Sequence, residues 1–174
     1  MKMPGASILP YRGKSPKLAD DVFVANGAQL IGDLEIGAGS SIWFNTVVRG
    51  DVHYIRIGER TNIQDNSTVH VTGKKFPCII GSDITIGHNA LLHACTVEDM
   101  CLIGMGAIVL DGAVISRESL VGAGALVTPG KTFAPRSLII GSPARAVRTL
   151  TDAEIQGLRD SANEYVKTAL SYRT

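Results

Sequence analysis

Apolar residues recur at every sixth position over most of the chain. They stand at Leu30, Ile36, Ile42, Val48, Ile57, Ile63, Val69, Ile80, Ile86, Leu92, Val97, Ile103, Val109, Ile115, Val121 and Val127. Glycine often follows directly, as at Gly87 and Gly104, and a small residue often stands four positions after the apolar one. A helix repeats every 3.6 residues and a strand every two, so neither produces this period. The pattern indicates a short strand and a turn, repeated many times.

A six-residue repeat is typical of parallel β-helices. Three repeats form one triangular coil of about 18 residues, so we predict an all-β solenoid in which the apolar residues point inward. Neighbouring coils would stack ~4.7–4.9 Å apart. Glycine suits the corners, where we expect torsions that other residues rarely adopt. A β-sandwich would instead give alternation with irregular loop spacing, which this long pattern disfavours.

The repeat is interrupted at two places. The step from Val48 to Ile57 is nine residues, so three residues are extra there. The step from Val69 to Ile80 is eleven, so five residues are extra. The second interruption contains residues 72–78, which we predict to form a protruding loop. Solenoids often place functional loops at such insertions.

The two ends of the chain lack the six-residue period. Residues 1–17 are rich in Pro and Gly and are predicted to be an irregular lead-in. Thr151 and Glu154 form the sequence pattern of a capping box, and apolar residues follow at helical spacing. We therefore predict a C-terminal helix at about residues 152–171.

These assignments divide the chain into a β-helix domain and a small terminal unit. Residues 1–148 would form the β-helix domain together with its N-terminal lead-in. Residues 149–174 would contribute the C-terminal helix, whose apolar stripe packs on the β-helix.

Composition narrows the class of protein. The 174 residues carry a net charge of +1, so no general attraction to nucleic acid or to an acidic membrane is implied. No apolar run approaches the ~20 residues needed to span a bilayer, and the first residues lack the apolar segment of a secretion signal. The cysteines, Cys78, Cys95 and Cys101, are few and odd in number. We interpret them as reduced thiols in a cytoplasmic protein.

Three of the four histidines, His70, His88 and His93, lie within 24 residues. His70 and His93 each directly follow an inward apolar residue, and they are separated by one coil plus the five-residue insertion. They should therefore lie side by side on the outside of neighbouring coils, with Arg49 in the same column one coil earlier. Two imidazoles at one strand spacing can share a metal ion. The fourth histidine, His53, lies in the three-residue interruption and is assigned no ligand role.

His88 belongs to a different face of the prism, because it follows its inward residue by two positions on the preceding repeat. It could reach the pair on an adjacent subunit if three prisms packed side by side. We infer a cyclic homotrimer with a metal between subunits. A single surface histidine is usually just solvated. Here the stacked pair, with Arg49, Asp51, Asn62 and Gln64 nearby as polar groups that support a metal site, disfavours that interpretation.

The chain resembles the γ-class carbonic anhydrases and their bacterial relatives over nearly its whole length. The matching residues are Arg49, Gly50, Asp51, Asn62, Ile63, Gln64, Asp65, His70, Gly87, His88 and His93. This set is specific, whereas the six-residue repeat alone is shared with acyltransferases. The resemblance implies a left-handed parallel β-helix of hexapeptide repeats, with a C-terminal α-helix, assembled as a homotrimer.

The resemblance also implies a metal, a substrate and a reaction. Zinc, or iron in some members, would be held by His70 and His93 of one subunit and His88 of the next. The metal would convert bound water to hydroxide, which attacks CO2 to give bicarbonate in a reversible hydration.

Further site residues follow from the same resemblance. Arg49 and Asp51 match the family's inter-subunit ion pair. Asn62 and Gln64 match residues that orient bound water, bicarbonate or CO2. Tyr165, on the terminal helix, matches an active-site tyrosine of the shorter members.

The sequence departs from the family pattern where a fast enzyme must export a proton. The archaeal prototype carries a glutamate in an acidic loop, whereas residues 72–78 contain Lys74, Lys75 and no acid, and Val52 stands where the prototype has Glu. Three functions therefore stay open: a carbonic anhydrase, a non-catalytic metal-binding or scaffold protein of the same family, and an acyl-CoA acyltransferase that would need only one histidine as general base.

Overall fold

The six-residue pattern folds into a parallel β-solenoid of about seven turns with one helix at its end. The computed structural model describes residues 1–172. In chain order the elements are β1 (Ser7–Leu9), β2 (Lys17–Leu18), β3 (Phe23–Val24), β4 (Gln29–Ile36), β5 (Ser41–Ile42), β6 (Val47–Ile57), β7 (Asn62–Ile63), β8 (Thr68–His70), β9 (Cys78–Ile80), β10 (Thr85–Ile86), β11 (Leu91–His93), β12 (Thr96–Val97), β13 (Leu102–Ile103), β14 (Ile108–Val109), β15 (Val114–Ile115), β16 (Leu120–Val121), β17 (Leu126–Val127), β18 (Ser137–Gly141), β19 (Ala144–Thr149) and α1 (Asp152–Ser171).

The strands stack on three faces. The histidine face contains β1, the first parts of β4 and β6, β8, β11, β14 and β17, and the second face contains β2, the later parts of β4 and β6, β9, β12 and β15. The third, called the helix face, contains β3, β5, β7, β10, β13, β16 and β18, with β19 antiparallel at its end. Because β4 and β6 continue around a corner, the first two faces form one sheet of 11 strands.

The predicted inward residues form the core. On the histidine face, Val48 pairs with Val69 and Val69 with Leu92, and all three are fully buried. On the helix face, Ile63 and Ile86 pair in the same way. Each such side chain contributes about 1.5–3 kcal/mol by leaving water. The register predicted from the period is confirmed.

The glycines that directly follow the inward residues were predicted to supply unusual backbone torsions, but they are required for a different reason. A Cβ atom on Gly87 would lie 2.7 Å from the backbone nitrogen of Met105 on the next coil, so the stacking of coils leaves no room for a side chain. The left-handed torsions are instead adopted at other positions, among them Asn66 (φ 60°) and Asn89 (φ 57°). Asparagine tolerates this conformation better than most residues.

The lead-in is more regular than predicted. Strand β1 lies parallel to β4, and Ile8 pairs with Leu30, so the first residues add a partial coil to the histidine face. The exposed edge of β4 provides the hydrogen-bonding groups for this strand, whatever the period of the sequence. The predicted loop is confirmed for residues 72–77, an insertion between β8 and β9 closed by an antiparallel bridge from Thr72 to Phe76. Cys78, predicted to belong to the loop, is instead the buried first residue of β9, because it pairs with Ile55 of β6.

Helix α1 begins and ends where predicted. The Thr151 hydroxyl accepts from the backbone of Glu154, whose side chain accepts from the backbone of Thr151, completing the capping box. The helix contacts β5, β7 and β10 on the helix face and buries Leu158 and Ala162. Within residues 1–172, no helix combines the length and the apolar character needed to cross a membrane.

The three cysteines are buried and carry no disulfide. Burial raises the pKa of Cys101 to about 12, so this thiol stays protonated at neutral pH.

Candidate metal centre

His70 and His93 lie side by side on the histidine face, as predicted. They are register partners in the parallel pair β8–β11. The Nδ1 atom of His70 lies 3.1 Å from the Nε2 atom of His93. The period therefore brings two imidazole nitrogens to one point on the outer surface of the solenoid.

A carboxylate holds the other nitrogen of His70. The Oδ1 atom of Asp51 lies 2.9 Å from His70 Nε2, and Asp51 also forms an ion pair with Arg49 of the same chain. Burial alone would raise the pKa of Asp51, but the contacts with His70 and Arg49 outweigh it and hold that pKa below its ordinary value. Asp51 is thus ionised and accepts the proton of Nε2, which leaves the lone pair of Nδ1 free.

His93 is held in the same way by a second carboxylate. Its Nδ1 atom lies 2.6 Å from Asp111 Oδ1, while the Thr72 hydroxyl donates to Asp111 Oδ2. Burial again opposes ionisation, but the hydrogen bonds from Thr72 and His93 hold the pKa of Asp111 below its ordinary value. The Nε2 lone pair of His93 therefore faces His70.

His88 lies at the corner that follows the helix-face strand β10, away from this pair. Its Nδ1 atom is 2.7 Å from Asp65 Oδ2, and the backbone N–H of Phe44 donates to Asp65 Oδ1 at 3.1 Å. The carboxylate leaves the Nε2 atom of His88 available to a ligand. Within residues 1–172, no three histidine, cysteine or acidic side chains converge on one metal position.

Asn62 and Gln64 form a buried chain of hydrogen bonds on the helix face. Asn62 Nδ2 donates to the Ile84 carbonyl (3.2 Å) and to the Thr85 hydroxyl (3.0 Å), so its oxygen is left to accept from Gln64 Nε2 at 3.1 Å. The Thr85 hydroxyl in turn bonds Ser161 of helix α1 at 2.9 Å. This chain fixes the amide of Gln64 with its carbonyl oxygen free to accept a hydrogen bond.

A groove of about 430 Å³ joins several of these side chains. Gln64, His88, Ser161 and Tyr165 contribute to its lining, together with apolar residues of β13 and β16. Tyr165 packs edge-on against Trp43, with ring centroids 5.4 Å apart. Burial, with a contribution from Asp65, raises the pKa of Tyr165, which is therefore a neutral hydroxyl at physiological pH.

The paired imidazoles fit a metal ion. Two nitrogens that bind one tetrahedral zinc through bonds of ~2.0–2.1 Å are about 3.3 Å apart, close to the 3.1 Å between His70 and His93. Their remaining nitrogens face carboxylates, the arrangement that sets the tautomer of metal-binding histidines. Two lone pairs facing each other at this distance repel unless a proton or a cation lies between them.

The sequence-predicted residues fall into two groups. Arg49 and Asp51 lie with His70 and His93 on the histidine face. Gln64, His88 and Tyr165 line the groove beside the helix, and Asn62 is buried behind Gln64. His53 contacts Tyr54 and none of the three site histidines: its Nδ1 atom accepts a hydrogen bond from the backbone N–H of Tyr54, and its ring packs on the Tyr54 ring.

Sequence reasoning gave no role to Asp65 or Asp111. For Asp65 the signal was present: it follows Ile63 by two positions, as His88 follows Ile86, and these isoleucines are register partners. Asp111 and His93 stand at different offsets from their inward residues, so the period alone gave a weaker indication of their contact.

Comparison with known proteins places the chain among relatives of similar sequence. No family model matches it. It is 47% identical over 161 residues to gamma carbonic anhydrase 2, mitochondrial, of Arabidopsis thaliana, a match covering 90% of this chain and 58% of that protein. The chain spans less than two thirds of this plant relative's length.

Two further relatives match almost end to end. The carbonic anhydrase of Geobacillus kaustophilus is 46% identical over 166 residues, covering 95% of this chain and 91% of that protein. The crystal structure of a hexapeptide transferase family protein from Anaplasma phagocytophilum gives a TM-score of 0.92 at 43% identity, covering 98% and 99% of the two chains. Different activities are thus named for one fold, and fold alone does not decide function. On the extent of its identity to the named carbonic anhydrases, the chain belongs to the gamma carbonic anhydrase family of hexapeptide-repeat β-helix proteins.

Proposed function

We propose that this chain is a metal-dependent carbonic anhydrase that interconverts CO2 and bicarbonate at sites shared between the subunits of a homotrimer. The observation that carries the proposal is the facing pair of ring nitrogens, His70 Nδ1 and His93 Nε2, each made a free acceptor by a carboxylate on the opposite side of its ring. Such a pair is suited to bind a cation. Zinc is the expected ion, and iron is the alternative.

The third ligand would come from another subunit. His88 has its own carboxylate, Asp65, and lies beside the groove of the helix face rather than beside the other two histidines. Each subunit thus offers two ligands on one surface and one ligand on another. Cyclic packing of three copies would bring these surfaces together three times. The ion pair of Arg49 and Asp51 lies on the first surface, where we propose that it also contacts the neighbouring subunit.

The bound ion would supply a Lewis acid that activates water for attack on CO2. The residues of the chain do the rest. Asp51, Asp65 and Asp111 hold the three imidazoles in one tautomer and orientation. Gln64, fixed through Asn62, presents a carbonyl oxygen that can accept from the reacting water and orient it. The neutral Tyr165 hydroxyl lines the same groove and can donate to bicarbonate.

A second function is favoured by one observation, the absence of an acid in loop 72–78. This second function is that of a non-catalytic metal-binding or scaffold protein. A chain without a group to export the proton can keep the metal site for assembly or metal binding alone. An acyltransferase is less well supported. It would need only one histidine as general base, which does not explain why two imidazoles face each other with a carboxylate behind each.

The test is to measure metal and activity on one sample. Protein purified without oxygen should contain about one metal ion per chain by elemental analysis and should hydrate CO2. His93→Ala should lose both metal and activity, because only two of the three proposed ligands would remain, His70 and the His88 of the neighbouring subunit. His53→Ala is the matched control and should retain both.

Each other outcome has a clear meaning. Metal without hydration under either oxidising or reducing conditions would favour the non-catalytic function. Full metal content in His93→Ala would contradict the assignment of the ligands.

A further inference from the structure

Thr72 connects the loop of residues 72–78 to the candidate metal centre. It is the first residue of that loop, and its hydroxyl donates to Oδ2 of Asp111. The other carboxylate oxygen of Asp111, Oδ1, lies 2.6 Å from His93 Nδ1. Three side chains therefore form one chain of hydrogen bonds that ends at Nδ1 of His93, the ring proposed to bind metal through its other nitrogen, Nε2.

The rest of the loop is fixed to the same corner of the solenoid. The backbone N–H groups of Thr72 and Phe76 each donate to the other residue's carbonyl at 3.2 Å, which closes the loop. The ring of Phe76 then lies over Gly112, where an added Cβ would be only 3.2 Å from the ring. The loop thus contacts this corner at two neighbouring residues: Thr72 forms a polar contact with Asp111, and Phe76 forms an apolar contact with Gly112.

Asp111 needs a second partner to hold its orientation. The carboxylate of Asp111 lies at a corner, and its side chain is 30% exposed. With His93 as its sole partner, the carboxylate could rotate about its side-chain bonds and exchange that bond for water. A hydrogen bond on each of its two oxygens removes this freedom, because rotation would then break both bonds.

We propose that Thr72 is a positioning residue for metal binding: its hydroxyl fixes Asp111, and Asp111 fixes the His93 ring with Nε2 directed at the ion. The loop of residues 72–78 therefore helps to set metal affinity. This inference rests on the proposed function, since it assumes that His93 is a metal ligand.

The experiment compares Thr72→Val, which keeps the shape and removes the hydroxyl, with Thr72→Ser, which keeps the hydroxyl. Cobalt(II) is titrated into the metal-free full chain, and its dissociation constant and visible absorption are recorded. Thr72→Val should bind cobalt roughly 10–100-fold more weakly and show an altered spectrum. Thr72→Ser should resemble the wild type. Thr96→Val, an outward position of strand β12 on the second face, is the control and should also resemble the wild type.

A second measurement does not depend on metal. Nitrogen NMR of the His93 ring in the metal-free protein, at one fixed pH, reports which nitrogen carries the proton. In the wild type and Thr72→Ser, Nδ1 should carry a proton whether or not the proton between His70 and His93 also resides on Nε2, whereas in Thr72→Val the Nδ1 position should be only partly protonated.

The outcomes separate this inference from the proposed function. A Thr72→Val protein with wild-type cobalt affinity, or a Thr72→Ser protein as weak as Thr72→Val, would overturn the role of the hydroxyl. If the wild type binds no cobalt, the proposed function fails, and the NMR comparison alone decides whether Thr72 positions His93.

Discussion

Each of the three site histidines is fixed by a different carboxylate. Asp51 faces His70, Asp65 faces His88 and Asp111 faces His93, at 2.6–2.9 Å. An ionised carboxylate on one ring nitrogen determines the tautomer and makes the other nitrogen a stronger ligand. The chemistry available to each imidazole is therefore decided by a residue one coil away, not by the histidine itself.

At the scale of single residues, we predict that Gln64 contributes to the rate of the reaction and not to metal binding. Gln64→Ala should keep its metal content, because the side chain bonds Asn62 and none of the three histidines. Activity should fall roughly 10–100-fold, as is typical when a supporting hydrogen bond is lost. Metal content and kcat measured together check this prediction. Gln156→Ala, at an exposed position of helix α1, is the control and should keep both metal and activity. Loss of metal in Gln64→Ala would contradict the prediction.

Two elements border the proposed site. Helix α1 reaches the amide chain through the bond between Ser161 and Thr85 and places Tyr165 in the groove. Loop 72–78 reaches Asp111 from the histidine face. The loop carries Lys74 and Lys75 but no acid. It can thus support the imidazoles, but it offers no carboxylate to carry a proton away.

From this loop we predict that proton export limits turnover. Raising the concentration of a small imidazole-type buffer, at constant pH and ionic strength, should increase kcat because the buffer accepts the proton directly. Stopped-flow hydration assays over a series of buffer concentrations provide the measurement, with added salt as the control. A fast rate that does not change with buffer would show that another residue moves the proton.

At the scale of the whole molecule, two different faces of one solenoid carry complementary parts of the proposed site. The histidine face offers two ring nitrogens, and the corner after β10 offers a third. Within residues 1–172 these parts do not converge on one metal position. A complete set of the proposed ligands would then require a second copy.

This arrangement predicts complementation between two inactive variants. His88→Ala keeps the pair on the histidine face, and His93→Ala keeps His88. In a mixed cyclic trimer, one of the three interfaces joins the intact pair to an intact His88. Hybrids isolated with two affinity tags should therefore hold about one metal ion per trimer and recover about a third of the activity.

The parent variants are the controls for this experiment. Each alone should contain little metal. Hybrids with no more metal than either parent would show that all three ligands belong to one chain.

The sequence by itself determined the period and what the period controls. Once the repeat was counted, the inward register of Val48, Val69 and Leu92 followed, and so did the pairing of His70 with His93, both confirmed. The capping box at Thr151 also followed from the sequence, because capping depends on residues three apart. Each of these features relates positions by a fixed offset along the chain.

The tertiary structure decided the contacts between residues that occupy different positions within the six-residue repeat. Asp111 meets both His93 and Thr72 because two corners and an inserted loop converge there, and no repeat specifies how side chains cross a corner. The reason for glycine at Gly87 likewise emerged only with the coils stacked, since it is the next coil that excludes a side chain. Periodicity fixes which coils are neighbours, whereas rotamers and corner geometry fix which side chains touch.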